Sequence, residues 1–461
     1  MGLFDRTEYY NNGKYVGQFS NGKRHGRGTY YFNNGGKYEG DWYYDKKEGY
    51  GTYYYPDGGI YEGYWKSGIR SGQGTFYSKT GYIYEGDFQE DKFHGRGKIR
   101  YTDGGVYEGQ FYYGYRQGQG TYKYPNGAIY DGRWTRDVYD GYGELTYANG
   151  NVYKGNWLLG EKDHKGQVIF TNGSVKTAIY FNGEEKFTKF KYSNGDLYDG
   201  TLDNNYRQGF GRYYYANGNV YKGNWHKGEK LGYGKMKANA YTYIGKFNKD
   251  IKEGLGAYIT NEFRYFGEFA DDVRHGFGIM FDSKSQVIHV GFWNNDYPII
   301  CDEKSQELYK LITRRKFNNG DIYIGQENND GRNGIGIYLY NNGGFKIGYW
   351  QNDKSNGDGL YFNQDDIYVG LYKDGFLNGI GIRYYKNEEF YIGSFQNGHY
   401  SGKGFFEYSN GELYDGEWKE SKFHGRGIFF KSNGNILLAD FLNDQISDLL
   451  FTILPDGSVE K

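Results

Sequence analysis

The 461-residue sequence holds one cysteine, four prolines and three methionines, and these scarcities exclude several architectures. Cys301 stands alone, so a disulfide framework or a cysteine-rich zinc site is out of reach, and the chain suits a reducing compartment. Aliphatic side chains are also short. Total hydrophobic content is 37%, of which aromatics take 21%, leaving about 16% for Ala, Val, Ile, Leu, Met and Cys together; a conventional aliphatic core is excluded. Neither sign of charge is in excess, with 56 Lys and Arg against 57 Asp and Glu, so no global field favours nucleic acid or an anionic membrane. No apolar run approaches the roughly 18 residues that cross a bilayer. Met1-Gly2-Leu3-Phe4-Asp5-Arg6 lacks the pattern of a signal peptide, and Arg6 stands where a myristoylation motif carries Ser or Thr. A soluble intracellular protein is expected.

What the chain does have is 57 Tyr, 32 Phe, 8 Trp and 77 Gly. Disordered segments are poor in aromatics, and with so little proline, Gly plus Pro stays below the roughly 25–30% of a low-complexity chain. The aromatics and glycines are periodic. Tyr15, Tyr38, Tyr61, Tyr84, Tyr107, Tyr130 and Tyr153 recur every 23 residues, each followed two positions later by Gly and two further on by Phe or Trp. A Gly-x-Gly pair opens a second segment eleven residues after the tyrosine, as in Gly49/Gly51 and Gly72/Gly74. The register continues at Lys176, Tyr198, Tyr221, Tyr243, Tyr265, His289, Tyr323, Lys346, Tyr368, Tyr391, Tyr414 and Leu437, with spacings of 22 to 24 except for 34 between His289 and Tyr323. Nineteen units follow, and length-based division into about three domains gives way to a single array.

Each unit reads as a β-hairpin. Alternation in Tyr38-Glu39-Gly40-Asp41-Trp42 puts Tyr38, Gly40 and Trp42 on one face and the carboxylates on the other. A polar loop leads to a β-prone run such as Gly51-Thr52-Tyr53-Tyr54-Tyr55, and Pro56-Asp57-Gly58, Pro125-Asn126-Gly127 or Asn149-Gly150 closes the unit. Glycine weakens a strand unless a neighbouring aromatic lies across the bare backbone, which accounts for the repeated structural set Tyr38, Gly40, Trp42, Gly49, Gly51, Tyr61, Gly63, Trp65, Gly72 and Gly74. At two strands of about 4.8 Å per unit, each unit advances roughly 9–10 Å, and nineteen would make a straight rod of roughly 170–190 Å. Such an array is stabilised locally and presents surface.

This unit, Tyr-Glu-Gly-x-Trp followed by Gly-x-Gly-Thr-Tyr and an Asn-Gly or Asp-Gly turn, resembles the MORN repeat from about Lys14 to the end of the chain. The resemblance implies an all-β, elongated, single-layer antiparallel sheet of about nineteen hairpins, curled into a gutter whose aromatic lining includes Trp42, Trp65, Trp134, Trp157, Trp225, Trp350 and Trp418. It also implies a scaffold in a cytoskeletal or membrane-apposed structure. Radial spoke heads of cilia contain many such proteins, so a ciliary axoneme component at or near a radial spoke is the most specific expectation. A cortical or membrane-apposed protist scaffold and a regulatory phospholipid-binding module are the alternatives.

The pattern divides into a lead-in (1–13), a front array (14–297), an insertion (298–316) and a rear array (317–461). Near 176–192 the front array degenerates: Ala178 replaces a glycine, and Phe187 and Lys189 replace the pair. In the insertion, Asp302 can cap a short helix with Glu303 and Glu307 early and Lys310, Arg314, Arg315 and Lys316 late. Leu308, Leu311 and Ile312 form its apolar edge. That helix either docks a partner or folds back on the gutter. In the last unit the register favours a strand over a helix, aligning Pro455-Asp456-Gly457 with Pro56-Asp57-Gly58; Leu449, Leu450 and Phe451 then lie on a strand near the sheet's end, where end-to-end or partner pairing competes with self-capping.

Chemistry finds little purchase. His25, His94, His275 and His424 each precede a Gly-x-Gly, but the nearest two are three units apart, roughly 29 Å in a straight array, too far for one metal. Glycine-rich strings do not open a helix after a strand, and no nucleophile elbow, zincin helix or P-loop is present. No enzymatic activity, cofactor or metal is expected, nor nucleic acid binding. Arg314-Arg315-Lys316 falls short of the four to eight basic residues of an electrostatic membrane anchor. Other structural proteins of a cytoskeletal complex are the expected partners.

Overall fold

Alternating Tyr, Gly and Trp with a charged residue between each gives strands of seven and nine residues joined by turns that glycine, asparagine and aspartate make possible. The strand Lys37–Tyr43 pairs antiparallel with Lys46–Tyr54, which pairs with Ile60–Lys66. Register places Gly40 opposite Gly51 and Tyr38 opposite Tyr53, then Gly51 opposite Gly63 and Tyr53 opposite Tyr61. The computed structural model describes residues 4–181, 183–300, 306–363, 366–455 and 459–460. Every one of the nineteen unit starts lies on a strand. Lone strands Phe4–Tyr10, Thr313–Lys316 and Val459–Glu460 add to them.

The segment read as a polar loop is a two-residue turn. Tyr44 and Asp45 have φ of 43° and 74°, the left-handed pair whose twist matches that of a hairpin. The longer turn lies between units: Gly58, at φ 99°, donates to the Tyr55 carbonyl at 3.0 Å, and Tyr55 donates to the Gly59 carbonyl at 2.8 Å. A register shift between Gly40 and Trp42 makes Asp41 a bulge residue, and its carboxylate accepts the Tyr50 N–H at 3.1 Å. The bulge recurs in most units, adding local twist to each strand pair.

Two compact units result, Met1–Glu184 and Glu185–Lys461, and the division falls within the degenerate repeat. That repeat still packs: Ala178, Tyr180, Phe187 and Thr188 are buried. Thr188, not Lys189, sits opposite Gly200 where the second glycine of the pair belongs, because this unit is one residue shorter.

In the second unit, two single-layer sheets lie face to face. One ends at Tyr297–Pro298, and the other runs from Thr313–Lys316 to Val459–Glu460. Phe210 stacks on Phe405 with ring centres 3.9 Å apart, and Phe266 meets Phe345 at 4.9 Å and Phe362 at 5.2 Å. The rear units therefore cover the front ones here, a layering absent from the straight-rod expectation.

The insertion departs from the helix expectation. Asp302 and Glu303 lie outside the described residues, and the helix is one turn, Gln306–Tyr309. Arg314, Arg315 and Lys316 belong to a strand, paired with Ile324, Tyr323 and Ile322. The first strand of the rear sheet has an edge of backbone donors and acceptors to satisfy, and four residues in β conformation do so at less cost than nucleating a longer helix. The turn of helix folds back: the Tyr309 hydroxyl donates to the Ile299 carbonyl at 2.6 Å, and its ring lies where a Cβ on Gly291 would be.

The last unit is a hairpin of Ile436–Leu442 and Gln445–Ile453, as the register required; Asp456 and Gly457 of its closing turn lie outside the described residues. No helix among the described residues is long and apolar enough to cross a membrane.

Candidate interaction surfaces

The two faces of the sheet have different chemistry, and the aromatic face is spent on holding strands together. Tyr38 is 0% exposed, and its ring covers Gly51 so closely that a Cβ there would lie 2.3 Å from the hydroxyl oxygen. Its hydroxyl donates to the bulged Asp41 carbonyl at 3.0 Å. Tyr61 repeats this over Gly74, donating to the Tyr64 carbonyl at 2.9 Å. Trp42 and Trp65 donate from Nε1 to the carbonyls of Gly28 and Gly51 at 3.1 and 3.0 Å. Gly40 and Gly63 face Gly51 and Gly74 so closely that a Cβ would meet the opposite Cα at 2.5 Å. The first glycine of each pair serves the backbone instead, since Gly49 and Gly72 hold φ of 66° and 76°, which L side chains rarely adopt. Burial pushes the Tyr38 and Tyr61 phenols well above their usual value.

A cation on each second strand locks one unit to the next. The Arg116 backbone N–H and Nε both donate to Asp137 Oδ1, at 2.9 and 3.0 Å, and its guanidinium also reaches the Asp137 carbonyl while lying 4.2 Å over Trp134. Arg24 with Asp45, Arg274 with Asp296 and Arg332 with Asp353 repeat the clamp. Sequence reasoning missed it, although a basic residue 21 or 22 positions before an aspartate recurs throughout. Lys47 has no aspartate in that place; it lies 3.7 Å over Trp65, and burial lowers its pKa to about 8.

The opposite face of the first unit is polar and open. Glu62, Glu85 and Glu108 are exposed, beside Tyr50 and Tyr64 at 47% and 52%. In the second unit most of the same positions are apolar: Ile244, Phe266, Ile347, Val369 and Ile392 follow the repeat's first position, and all are at most 2% exposed. A few charges are enclosed with them. Arg212 pairs with Asp199 and lies 3.6 Å from Glu407, which also holds Lys222, and Tyr233 donates to Asp358 at 2.7 Å. Lys235 lies 3.8 Å over Tyr384, and burial lowers its pKa to about 7. The signal was legible as the change from Glu39, Glu62, Glu85 and Glu108 to Ile244 and Phe266 at one repeat position; a strand buried on both faces is hydrophobic at both.

The candidate partner residues do not form one site. Leu311 is 60% exposed, Ile312 is half-buried, and Arg314 and Arg315 are exposed on their strand; the side chain of Leu308 lies outside the description. Leu449 and Leu450 are half-buried and Phe451 is buried at 5%. Val459–Glu460 pairs with Thr452 and Ile453, capping part of that strand's outer edge. Two register shifts and Asp448 blunt the rest. The rings of His25 and His94 pack against Tyr43, Tyr44, Tyr112 and Tyr113 beside the turns, and no group of three potential metal ligands occurs among the described residues.

Comparison with solved structures returns the TCP10 domain of Danio rerio CPAP, 13% identical over 42% of this chain and 92% of that one with a TM-score of 0.27. The TCP domain of SAS-4 from Drosophila melanogaster is 19% identical over 32% and 82%, with a TM-score of 0.23. Likeness at this level carries no argument about role. A search of curated proteins found no match. The MORN repeat itself matches at 15–37, 38–60, 61–81, 84–106, 107–129, 130–152, 198–220, 221–239, 265–285, 323–345, 368–389, 391–412 and 414–436. The matched segments carry the tyrosine, glycine and tryptophan contacts described above and make up more than half of the sequence, and the chain belongs to the MORN repeat family.

Proposed function

We propose that this protein is a non-enzymatic structural scaffold of a cytoskeletal assembly. One observation carries the reading: the repeated aromatic and glycine residues are used up in joining each strand to the next, so the product of the array is a long patterned surface for other structural proteins. Within that class the ciliary axoneme, at or near a radial spoke, is the location favoured by family resemblance alone. A cytoplasmic, cytoskeleton-bound protein follows. A cortical or membrane-apposed scaffold is the second reading, and direct lipid binding ranks below both because the basic residues Arg314, Arg315 and Lys316 are few.

Fractionation of an epitope-tagged copy in a ciliated host tests this. The axonemal reading expects retention with the axoneme after detergent and release only by chaotrope or high salt. Release by detergent alone overturns it in favour of the membrane-apposed scaffold, and binding to acidic phosphoinositide vesicles at physiological salt would raise the lipid-binding module.

A further inference from the structure

In the first compact unit the polar face carries a furrow that crosses the strands from Val16 to Gln119, in two stretches of about 480 and 760 Å³. Its floor is the main chain at Gly74, Gly86, Gly97 and Gly109, positions whose side-chain direction is the opposite, tyrosine-covered face. One wall carries a carboxylate in each unit, Glu39, Glu62, Glu85 and Glu108. The other carries Tyr50, Tyr64, Gln73, Gln110 and Gln119, with Arg96 among them and Arg27 near the start of the furrow. Tyr50 and Tyr64 meet edge to face with ring centres 5.4 Å apart, and the Tyr50 hydroxyl donates to Glu62 at 3.0 Å. Glu62 pairs with no cation among the described residues, whereas Glu39, Glu85 and Glu108 hold Lys37, Arg100 and Lys98 at 3.0, 2.8 and 2.9 Å. Those last pairs are solvent-exposed and exchange partners at little cost.

The repeat length selects the ligand. One unit spans two strand spacings, about 9.6 Å. A polyproline II helix turns once every three residues and rises about 9.3 Å per turn, so every third side chain keeps step with the carboxylates, slipping by only about 1 Å over four units. An α-helix needs seven residues to return to one face and rises about 10.5 Å in doing so, losing about 0.9 Å of register at each unit. A β-strand turns alternate residues to opposite faces and cannot present every third one. Polyproline II also leaves its own carbonyls without internal partners, and the second wall supplies donors in the Tyr64 hydroxyl and the Gln73, Gln110 and Gln119 amides, with tyrosine rings as flat surfaces for proline.

We infer that this furrow binds a basic, proline-rich peptide in the polyproline II conformation, with Lys or Arg at every third position facing Glu39, Glu62, Glu85 and Glu108. The inference concerns a partner's chemistry and is independent of which assembly holds the protein.

Fluorescence anisotropy with the full chain at physiological salt tests it, using labelled peptides of four Lys-Pro-Pro repeats, four Lys-Pro-Pro-Pro repeats and four Lys-Gly-Gly repeats. The Lys-Pro-Pro peptide is expected to bind at least tenfold more tightly than either other peptide. Glu62→Gln combined with Glu85→Gln, and separately Tyr64→Ala, are expected to weaken it at least fivefold while the far-ultraviolet dichroism stays unchanged. Equal affinity for the three peptides would mean unspecific charge attraction and overturn the inference. So would the absence of binding at millimolar peptide, or variants that bind as the parent does.

Discussion

Replacing Gly51 with alanine isolates the contact that the repeat is built around. Gly51 has no left-handed φ, so alanine meets no backbone objection there, but its Cβ would lie 2.3, 2.6 and 2.7 Å from Oη, Cζ and Cε2 of Tyr38. The ring must move by about 1 Å to reach ordinary contact distance. It is not free to do so: its hydroxyl is bonded to Asp41, and its edge contacts with Trp42 and Trp65 have ring centres 5.2 and 5.3 Å away. Overpacking costs about 1–3 kcal/mol, and pulling the hydroxyl from a buried carbonyl adds about 1–3 kcal/mol. Gly51→Ala should therefore destabilise the surrounding hairpins by about 3–5 kcal/mol. Gly58→Ala is the control, because Gly58 has φ 99° and nothing within 4 Å, leaving only a left-handed backbone cost of about 1–2 kcal/mol. Hydrogen exchange in the intact chain reads the effect locally, over Lys37–Tyr43, Lys46–Tyr54 and their neighbours. Adding Tyr38→Ala to Gly51→Ala should cost less than the sum of the two changes by at least 1 kcal/mol, since the collision is gone. An additive cycle, or a Gly51→Ala protein no worse than Gly58→Ala, would refute the reasoning.

Three further outcomes follow from the same geometry. Burial raises Tyr38, Tyr61, Tyr84 and Tyr107 well above the ordinary 10.0; above pH 10 the unfolded chain then holds fewer protons than the folded one, and stability falls by about 1.4 kcal/mol per pH unit for each phenol. Tyrosinate absorbance and loss of β-sheet dichroism should rise together above pH 10, and ionisation of these rings near pH 10 in a chain that stays folded would contradict this. Lys346, 8% exposed with its amine donating to the Gly375 carbonyl at 3.1 Å, has a pKa lowered from 10.5 to about 7 by burial. The unfolded chain binds the extra proton between those values, so this group makes stability rise from pH 7 towards 10.5, and Lys346→Met should remove that share of the slope in urea melts at pH 7 and 9. Phe345→Ala, at a 1% exposed ring between the two sheets of the second unit, should cost about 3–5 kcal/mol there and leave exchange in residues 4–181 unchanged, whereas Glu62→Ala on the exposed face of the first unit should stay within about 0.5 kcal/mol.

The hairpins and their register were legible because each contact joins residues at fixed separations along the chain. Tyr38 covers Gly51 and Trp42 bonds Gly28 within one period, and a pattern repeated every 23 residues exposes such contacts to simple inspection. Tertiary contacts across sheets have no such period. Phe210 meets Phe405 and Phe266 meets Phe345 across long stretches of sequence, so only their consequence, apolar residues where carboxylates stood, was written locally. The helix expectation failed at Arg314, Arg315 and Lys316 for a related reason. Charge placement favours a helix end, but an open sheet edge beside the segment offered four backbone pairings that composition does not reveal.

This division explains where function can vary in such a chain. On the aromatic face, Tyr38, Gly51 and Trp65 constrain one another within tenths of an ångström, so that face has little latitude for a new partner without loss of the strand pairing itself. On the other face the residue after the repeat's first position and its partner on the second strand decide the outcome, as Phe266 with Ala257 and Ile347 with Ile337. With Ile244, Phe266, Ile347 and Val369 there, the sheet buries itself against another sheet of the same chain. With Glu39, Glu62, Glu85 and Glu108 there, the same backbone remains open and presents one carboxylate about every 9.6 Å. Covering that face as the second unit is covered would strip the unpaired Glu62 and the exposed pairs of Glu39, Glu85 and Glu108 with Lys37, Arg100 and Lys98 of water, at a cost that apolar contacts between tyrosines and threonines do not repay. The charges thus act against self-association of the first unit and leave its furrow to a partner that brings the opposite charge at the matching interval.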